Sequence, residues 1–150
     1  MTKLKEATRE QHEQLENTVD VMNRMFSRDD YKKLLEKFRK VYSAIEPKIA
    51  AADLGRFGMD FDKRRKSQLL DADLKSLDVN GNHETSEWTD VPVIDSPAKA
   101  FGCLYVLEGA TLGGQVITRH LKQHLDLSPE AGGSFFNSYG KEVEIGRAHV

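Results

Sequence analysis

Apolar residues return at helical intervals along most of this chain. The positions Leu4, Thr8, Leu15, Val19 and Met22 fall on one face of a helix with charged residues between them, and His12 lies on the same stripe. Ser27-Arg28-Asp29-Asp30 has the form of a capping box. After it Tyr31, Leu34, Leu35, Phe38, Val41, Tyr42, Ile45 and Ile49 follow helical spacing, and Pro47 is expected to kink or break this helix near its end. Leu54-Gly55-Arg56-Phe57-Gly58 reads as a turn, followed by a helix capped by Asp60 and carrying Phe61, Leu69, Leu70, Leu74 and Leu77. The run Lys63-Arg64-Arg65-Lys66 is flanked by Asp60, Asp62, Asp71 and Asp73, and so reads as a solvated, charge-balanced face.

Residues 78–95 contain Asn80-Gly81-Asn82 and Pro92 and read as a long surface loop, with Trp88 placed to pin it to the body. Ser96-Pro97 is an N-cap followed by a proline at the first helical position. It announces a helix through Ala100, Leu104 and Leu107 and onward to about Leu125. No repeat appears, and no strand-like alternation persists long enough to nucleate a sheet. The expected fold is all-α.

Composition narrows the picture. With 150 residues, 39% of them hydrophobic and 31% charged, the chain is sized for one domain around one core. The 22 basic residues against 24 acidic ones leave a formal charge of −2, so no global field favours nucleic acid or an anionic membrane as partner. Cys103 is the single cysteine and forms no internal disulfide, and the first residues contain no apolar stretch of signal-peptide or membrane-span type. The expected location is the cytoplasm.

Chemistry concentrates at two places. The first is Gly109-Ala110-Thr111-Leu112-Gly113-Gly114, three glycines in the middle of a long helix. Each glycine costs about 1 kcal/mol relative to alanine in a helix interior. A kinked helix on whose backbone a flat ligand lies would offset that cost; so would tight helix–helix packing or a Gly-Gly turn between two helices, and residue types alone do not choose. The second is His12, which could present a neutral ring nitrogen to a metal or simply be a hydrogen-bonded core histidine. Glu16, one turn on, could accept the proton of the other ring nitrogen and fix the tautomer. Arg9 and Lys5, one and two turns before His12, could pair with ligand carboxylates or belong to a plain solvated face. His120 and His124 have metal-compatible spacing but no evident third ligand, and read as surface histidines.

LKEATREQHEQLE (residues 4–16) is similar to the proximal helix of heme oxygenases, and YVLEGATLGGQVI (residues 105–117) resembles their glycine-rich distal helix. The order and separation of the two motifs match the family, and the likeness runs from about Leu4 to Gly140. It implies a heme-oxygenase-like multi-helix bundle that cleaves heme to biliverdin, carbon monoxide and iron, with oxygen and electrons from a separate reductase or ferredoxin. Heme is then both substrate and cofactor. The resemblance further implies His12 as the axial iron ligand, Glu16 as its partner and Lys5 as a propionate contact. It makes Gly109, Gly113 and Gly114 the distal glycines that crowd one porphyrin edge and direct oxygen along the ring plane, and Tyr105 a further candidate contact.

Two departures qualify the likeness. Animal-type members carry an acidic residue just after the first distal glycine, where Ala110 stands here, so the water network would be held differently, with Thr111 as a substitute. The LEGATLGG form is closer to bacterial members. Family members also continue with further helix beyond the Phe135-Phe136-Asn137-Ser138-Tyr139-Gly140 segment, whereas Glu144-Ile145-Gly146-Arg147-Ala148-His149-Val150 resembles the translation of a sequencing-library adapter. Residues 1–143 are therefore read as an incomplete heme oxygenase domain and residues 144–150 as a non-native tail in which His149 is no ligand. Two rivals stand beside this reading: a module of the same fold that holds or senses heme without degrading it, and a related helical hydrolase that would use Cys103 as nucleophile.

Overall fold

Ser27 starts the first described long helix as its capping box predicts: the Ser27 hydroxyl accepts the Asp30 amide at 3.1 Å, and Asp29 and Asp30 place negative charge at the positive end of the helix dipole. This is α1, Arg28–Ala51, in a computed structural model that describes residues 6–7, 9–10, 13–14, 27–77 and 88–140. Its apolar stripe is buried through Tyr31, Leu35, Tyr42, Ile45 and Ile49. Pro47 does not break it. The helix continues to Ala51, four residues further on, and ends where the Ala52 amide reaches back to Ile49 and Ala50.

The segment after α1 departs from expectation. Asp53 (φ 47°) and Gly58 (φ 79°) adopt left-handed backbone and bracket a short 3₁₀ turn, Leu54–Phe57, and a second such turn covers Asp62–Arg64. The next helix, α2, starts only at Ser67 and runs to Leu77, so Asp60 does not cap it; the Asp60 carboxylate instead accepts the Asp62 and Lys63 amides at the second 3₁₀ turn, and Phe61 is buried from a turn rather than a helix. The reason lies in a distant carboxylate. Glu46 accepts the amides of Lys66 and Ser67 at 2.7 and 3.1 Å and the Ser67 hydroxyl at 2.6 Å, which supplies the cap and fixes the start of α2.

Ser96 accepts the Lys99 amide at 3.3 Å and α3, Pro97–Leu112, begins at the proline as expected. The predicted long helix is split, however. Gly113 forms a turn and α4 covers Gly114–Leu125. By length and composition alone Pro97–Leu125 could cross a membrane, but it buries Glu108 and His120 in the protein and is interrupted at Gly113. Arg28 donates to the Leu125 carbonyl at 3.2 and 3.1 Å, tying the start of α1 to the end of α4.

The core joins α1 to Leu70 and Leu74 of α2, Ala100, Leu104 and Leu107 of α3, Leu121 and Leu125 of α4, and the aromatic pair Phe135 and Phe136 of the closing turn. The Phe135 ring lies 5.2 Å from both Phe38 and Tyr42. Asp73, almost fully buried, accepts the Ser134 amide and hydroxyl at 2.8 and 2.7 Å and the Phe135 amide at 2.8 Å, so α2 holds that turn in place. Trp88 is half-buried against the core, the role foreseen for it. Among the described residues there is no strand, only isolated bridges from Ser128 to Ala131 and Gly132, and the fold is all-α as expected.

Candidate functional site

The three glycines of the 109–114 stretch do different things. A Cβ on Gly114 would stand 1.8 Å from the Phe136 carbonyl oxygen, so this glycine is required by close backbone packing. At Gly109 and Gly113 the same construction meets no described atom within 4 Å. Gly102 is open in the same way, and Val106 and Val116 are 68% and 57% exposed. Gly102, Val106, Gly109 and Gly113 recur at intervals of three or four residues, so they share one helix face, and Val116 follows across the turn. The result is an apolar surface with few side chains, against which a flat apolar molecule can approach the backbone. Both alternatives left open by the sequence are realised in part: Gly114 serves packing and the helix turns at Gly113, but Gly113 (φ −77°) has backbone any residue could adopt, so neither packing nor dihedral angle explains glycine at 109 or 113. Tyr105, half-buried, sits one turn before Gly109 at the margin of this face.

Behind the face lies a buried polar cluster that sequence reasoning missed. Glu108, immediately before Gly109, accepts from Lys66 Nζ at 2.9 Å and from the Tyr139 hydroxyl at 2.5 Å, with Arg64 Nη1 3.7 Å from its other oxygen. Lys66 Nζ also lies 4.8 Å from the Tyr139 ring centroid. The Tyr42 hydroxyl donates to the Leu107 carbonyl at 2.7 Å. Burial pushes the Lys66 ammonium below the usual lysine range, opposed by the charge of Glu108. Burial and the hydrogen bond to Glu108 push the Tyr139 hydroxyl upward.

The expected solvated face at residues 63–66 is therefore corrected. Lys63 is 84% exposed, but the side chains of Arg64 and Lys66 retain only 14% and 3% of their surface, because they leave a turn toward Glu108 instead of lying on a helix face. One signal was available: Glu108 is the only charged residue between Lys99 and Arg119, and a charge isolated in so apolar a run needs a partner. The surface reading of the histidine pair is also corrected in part. His120 is buried and His124 exposed, with their rings stacked 4.2 Å apart. Among the described residues no cluster of three or more histidine, cysteine or acidic side chains is placed for a metal.

His12, Lys5 and Glu16 lie outside the described residues, as does the tail at 144–150. The described neighbours Glu6, Ala7, Arg9, Glu10, Glu13 and Gln14 are helical and exposed, and at 100° per residue they occupy the arc opposite the stripe that contains His12. Arg9 pairs with Glu13 at 3.0 Å on that solvent side.

The model of the heme oxygenase family matches residues 1–147. The chain belongs to the heme oxygenase family. No match was found among curated proteins or solved structures. Heme degradation by an oxidoreductase is thus the general activity of the family to which the chain belongs, with heme as substrate. The face of α3 and α4 is compatible with that substrate: no described atom fills the space beside Gly102, Gly109 and Gly113, and the exposed Val106 and Val116 add apolar surface of the kind a porphyrin plane needs. The hydrolase alternative loses ground at Cys103, which is half-buried and whose thiol is pushed up by desolvation, the reverse of what a nucleophile needs.

Proposed function

We propose that this protein cleaves heme to biliverdin, carbon monoxide and iron, using oxygen and electrons delivered by a separate reductase or ferredoxin. The observation that carries the reading is the open, apolar face of Gly102, Val106, Gly109 and Gly113 in a chain of the heme oxygenase family. His12 is assigned as the iron ligand and Glu16 as the acceptor that fixes its tautomer; in support, the sequence puts His12 on the apolar stripe, across the helical wheel from Glu6, Ala7, Arg9, Glu10, Glu13 and Gln14, which are exposed. Lys5 pairs with a propionate, and Tyr105 borders the ring. Gly109 and Gly113 let the backbone approach the porphyrin and exclude bulk that would force it away, while Gly114 holds the turn against Phe136. Bound heme supplies the iron at which oxygen is reduced and is itself the molecule oxidised. The bacterial, biliverdin-producing type follows from the LEGATLGG form of the motif. The single cysteine accords with a cytoplasmic location, and the balanced charge favours neither nucleic acid nor an anionic membrane as partner.

The test is a hemin titration followed by turnover. A sharp Soret band that weakens or shifts in His12→Ala, and its conversion to a bilin spectrum with oxygen and ascorbate or ferredoxin, is the expected result. Intact heme after exposure to reductant and oxygen would leave a heme-holding module and overturn the enzymatic reading.

A further inference from the structure

Gly109 and Gly113 have no side chains with which to hold their own backbone, and no described atom lies within 4 Å of where their Cβ atoms would be. Something else must fix the position of this turn. At its start the Leu107 carbonyl is held by Tyr42 of α1, and Glu108 is held by Lys66 from the segment before α2 and by Tyr139 from the closing turn. Glu46 bonds the backbone of Lys66 and so fixes the residue that grips Glu108. At the far end the backbone of Gly114 is pressed against the Phe136 carbonyl, three residues before Tyr139. Elements distant in sequence thus grip both ends of the 109–113 stretch, and no described atom covers its glycine face.

We propose that Glu108, gripped by Lys66 and Tyr139, is a positioning residue that sets the placement of the Gly109 backbone against the porphyrin and thereby selects which meso carbon is oxidised. This rests on the heme-cleaving reading above. The chemistry suits the task. A carboxylate bonded by an ammonium and a hydroxyl from different elements has its position defined in more than one direction, as an apolar side chain in the same place would not. Glu108 and Lys66 are 7% and 2% exposed, so water competes little for the bond between them.

The experiment compares the wild-type protein with Glu108→Ala and with the double variant Glu108→Met/Lys66→Met. The double variant removes both charges at similar volume, a replacement that is often near neutral for a buried ion pair, and it takes from Arg64 the Glu108 carboxylate 3.7 Å away. Amide hydrogen exchange in the heme-free protein is expected to quicken at least tenfold at residues 107–113 in both variants, with α1 unchanged. With hemin bound, both should show an altered ferric spectrum, and after turnover the ratio of bilin isomers should change at least twofold. Turnover is run with ferredoxin as electron donor and catalase present, so that non-enzymatic ring opening of released heme does not enter the isomer ratio. If Glu108→Ala fails to fold, the double variant carries the test. A double variant that folds and keeps wild-type exchange, spectrum and isomer ratio overturns the proposal. If wild-type protein binds hemin and yields no bilin, the enzymatic reading has failed instead, and the exchange and spectral results still decide whether Glu108 positions the turn.

Discussion

The carbonyl oxygen of Phe136 lies where the Cβ of any residue other than glycine at position 114 would have to be, at 1.8 Å. The clash is with backbone, so no rotamer change relieves it, and Gly114→Ala must push α4 away from the closing turn that carries Phe135 and Phe136. Overpacking of this kind costs about 3 kcal/mol. Urea unfolding should show the midpoint falling accordingly, and a wild-type midpoint would mean that the helix and turn are not in this contact.

Gly109 predicts the opposite sign. It lies inside α3 with ordinary helical backbone and no described atom within 4 Å of an added Cβ, so alanine there should stabilise the heme-free protein by up to about 1 kcal/mol. The same methyl group would stand on the open face between the helix and the porphyrin. Gly109→Ala should therefore raise the melting temperature without hemin while weakening hemin affinity, a trade between stability and function. Loss of stability without hemin, or unchanged hemin binding, would count against the assignment of this face.

Asp73 is a separate test of the scaffold. It is buried and accepts three hydrogen bonds, two of them from the backbone amides of Ser134 and Phe135. Asp73→Ala strands those amides, and each buried donor left without a partner costs roughly 1–3 kcal/mol. The expected loss is about 3 kcal/mol by urea unfolding, with amide exchange at residues 134 and 135 accelerated more than that at the centre of α1. Loss confined to α2 would show that the turn is held by something else.

Helices that depend on local pattern are legible in the amino-acid order alone. The Ser27 cap, the α1 stripe and the Ser96-Pro97 start need only residues within a few positions of one another, and all appear as read. Features created by distant pairing are not legible in this way. The start of α2 at Ser67 depends on Glu46, twenty-one positions earlier, and the burial of Lys66 depends on Glu108, forty-two positions later. A basic run among aspartates looks the same whether it lies on a solvated helix or sends alternate side chains inward from a turn. The glycine-rich site stands out as an anomaly because its local cost is independent of context. The division of labour among its glycines does not, since only the approach of Phe136 distinguishes Gly114 from Gly109.

The buried tyrosines predict how the fold responds to alkali. Burial is the first cause that raises the hydroxyls of Tyr31, Tyr42 and Tyr139, reinforced by the charge of Asp73 at Tyr31, by Glu108 and Glu46 at Tyr42, and by the hydrogen bond to Glu108 at Tyr139. In the unfolded chain these groups ionise near pH 10. A folded-state pKa above that value means that the native protein retains protons the unfolded chain has released, so the stability they contribute is complete below about pH 10 and is lost as pH rises further. Lys66 acts in the other direction, because its lowered pKa makes stability rise with pH up to its unfolded value near 10.4. Three tyrosines against one lysine leave a net loss above pH 10. Tyrosinate absorbance near 295 nm, followed against pH beside far-ultraviolet circular dichroism, should therefore rise together with the loss of helix. Smooth ionisation of all the tyrosines near pH 10 with the helix signal intact would show that Tyr31 and Tyr42 are not sealed in the core as the structure places them.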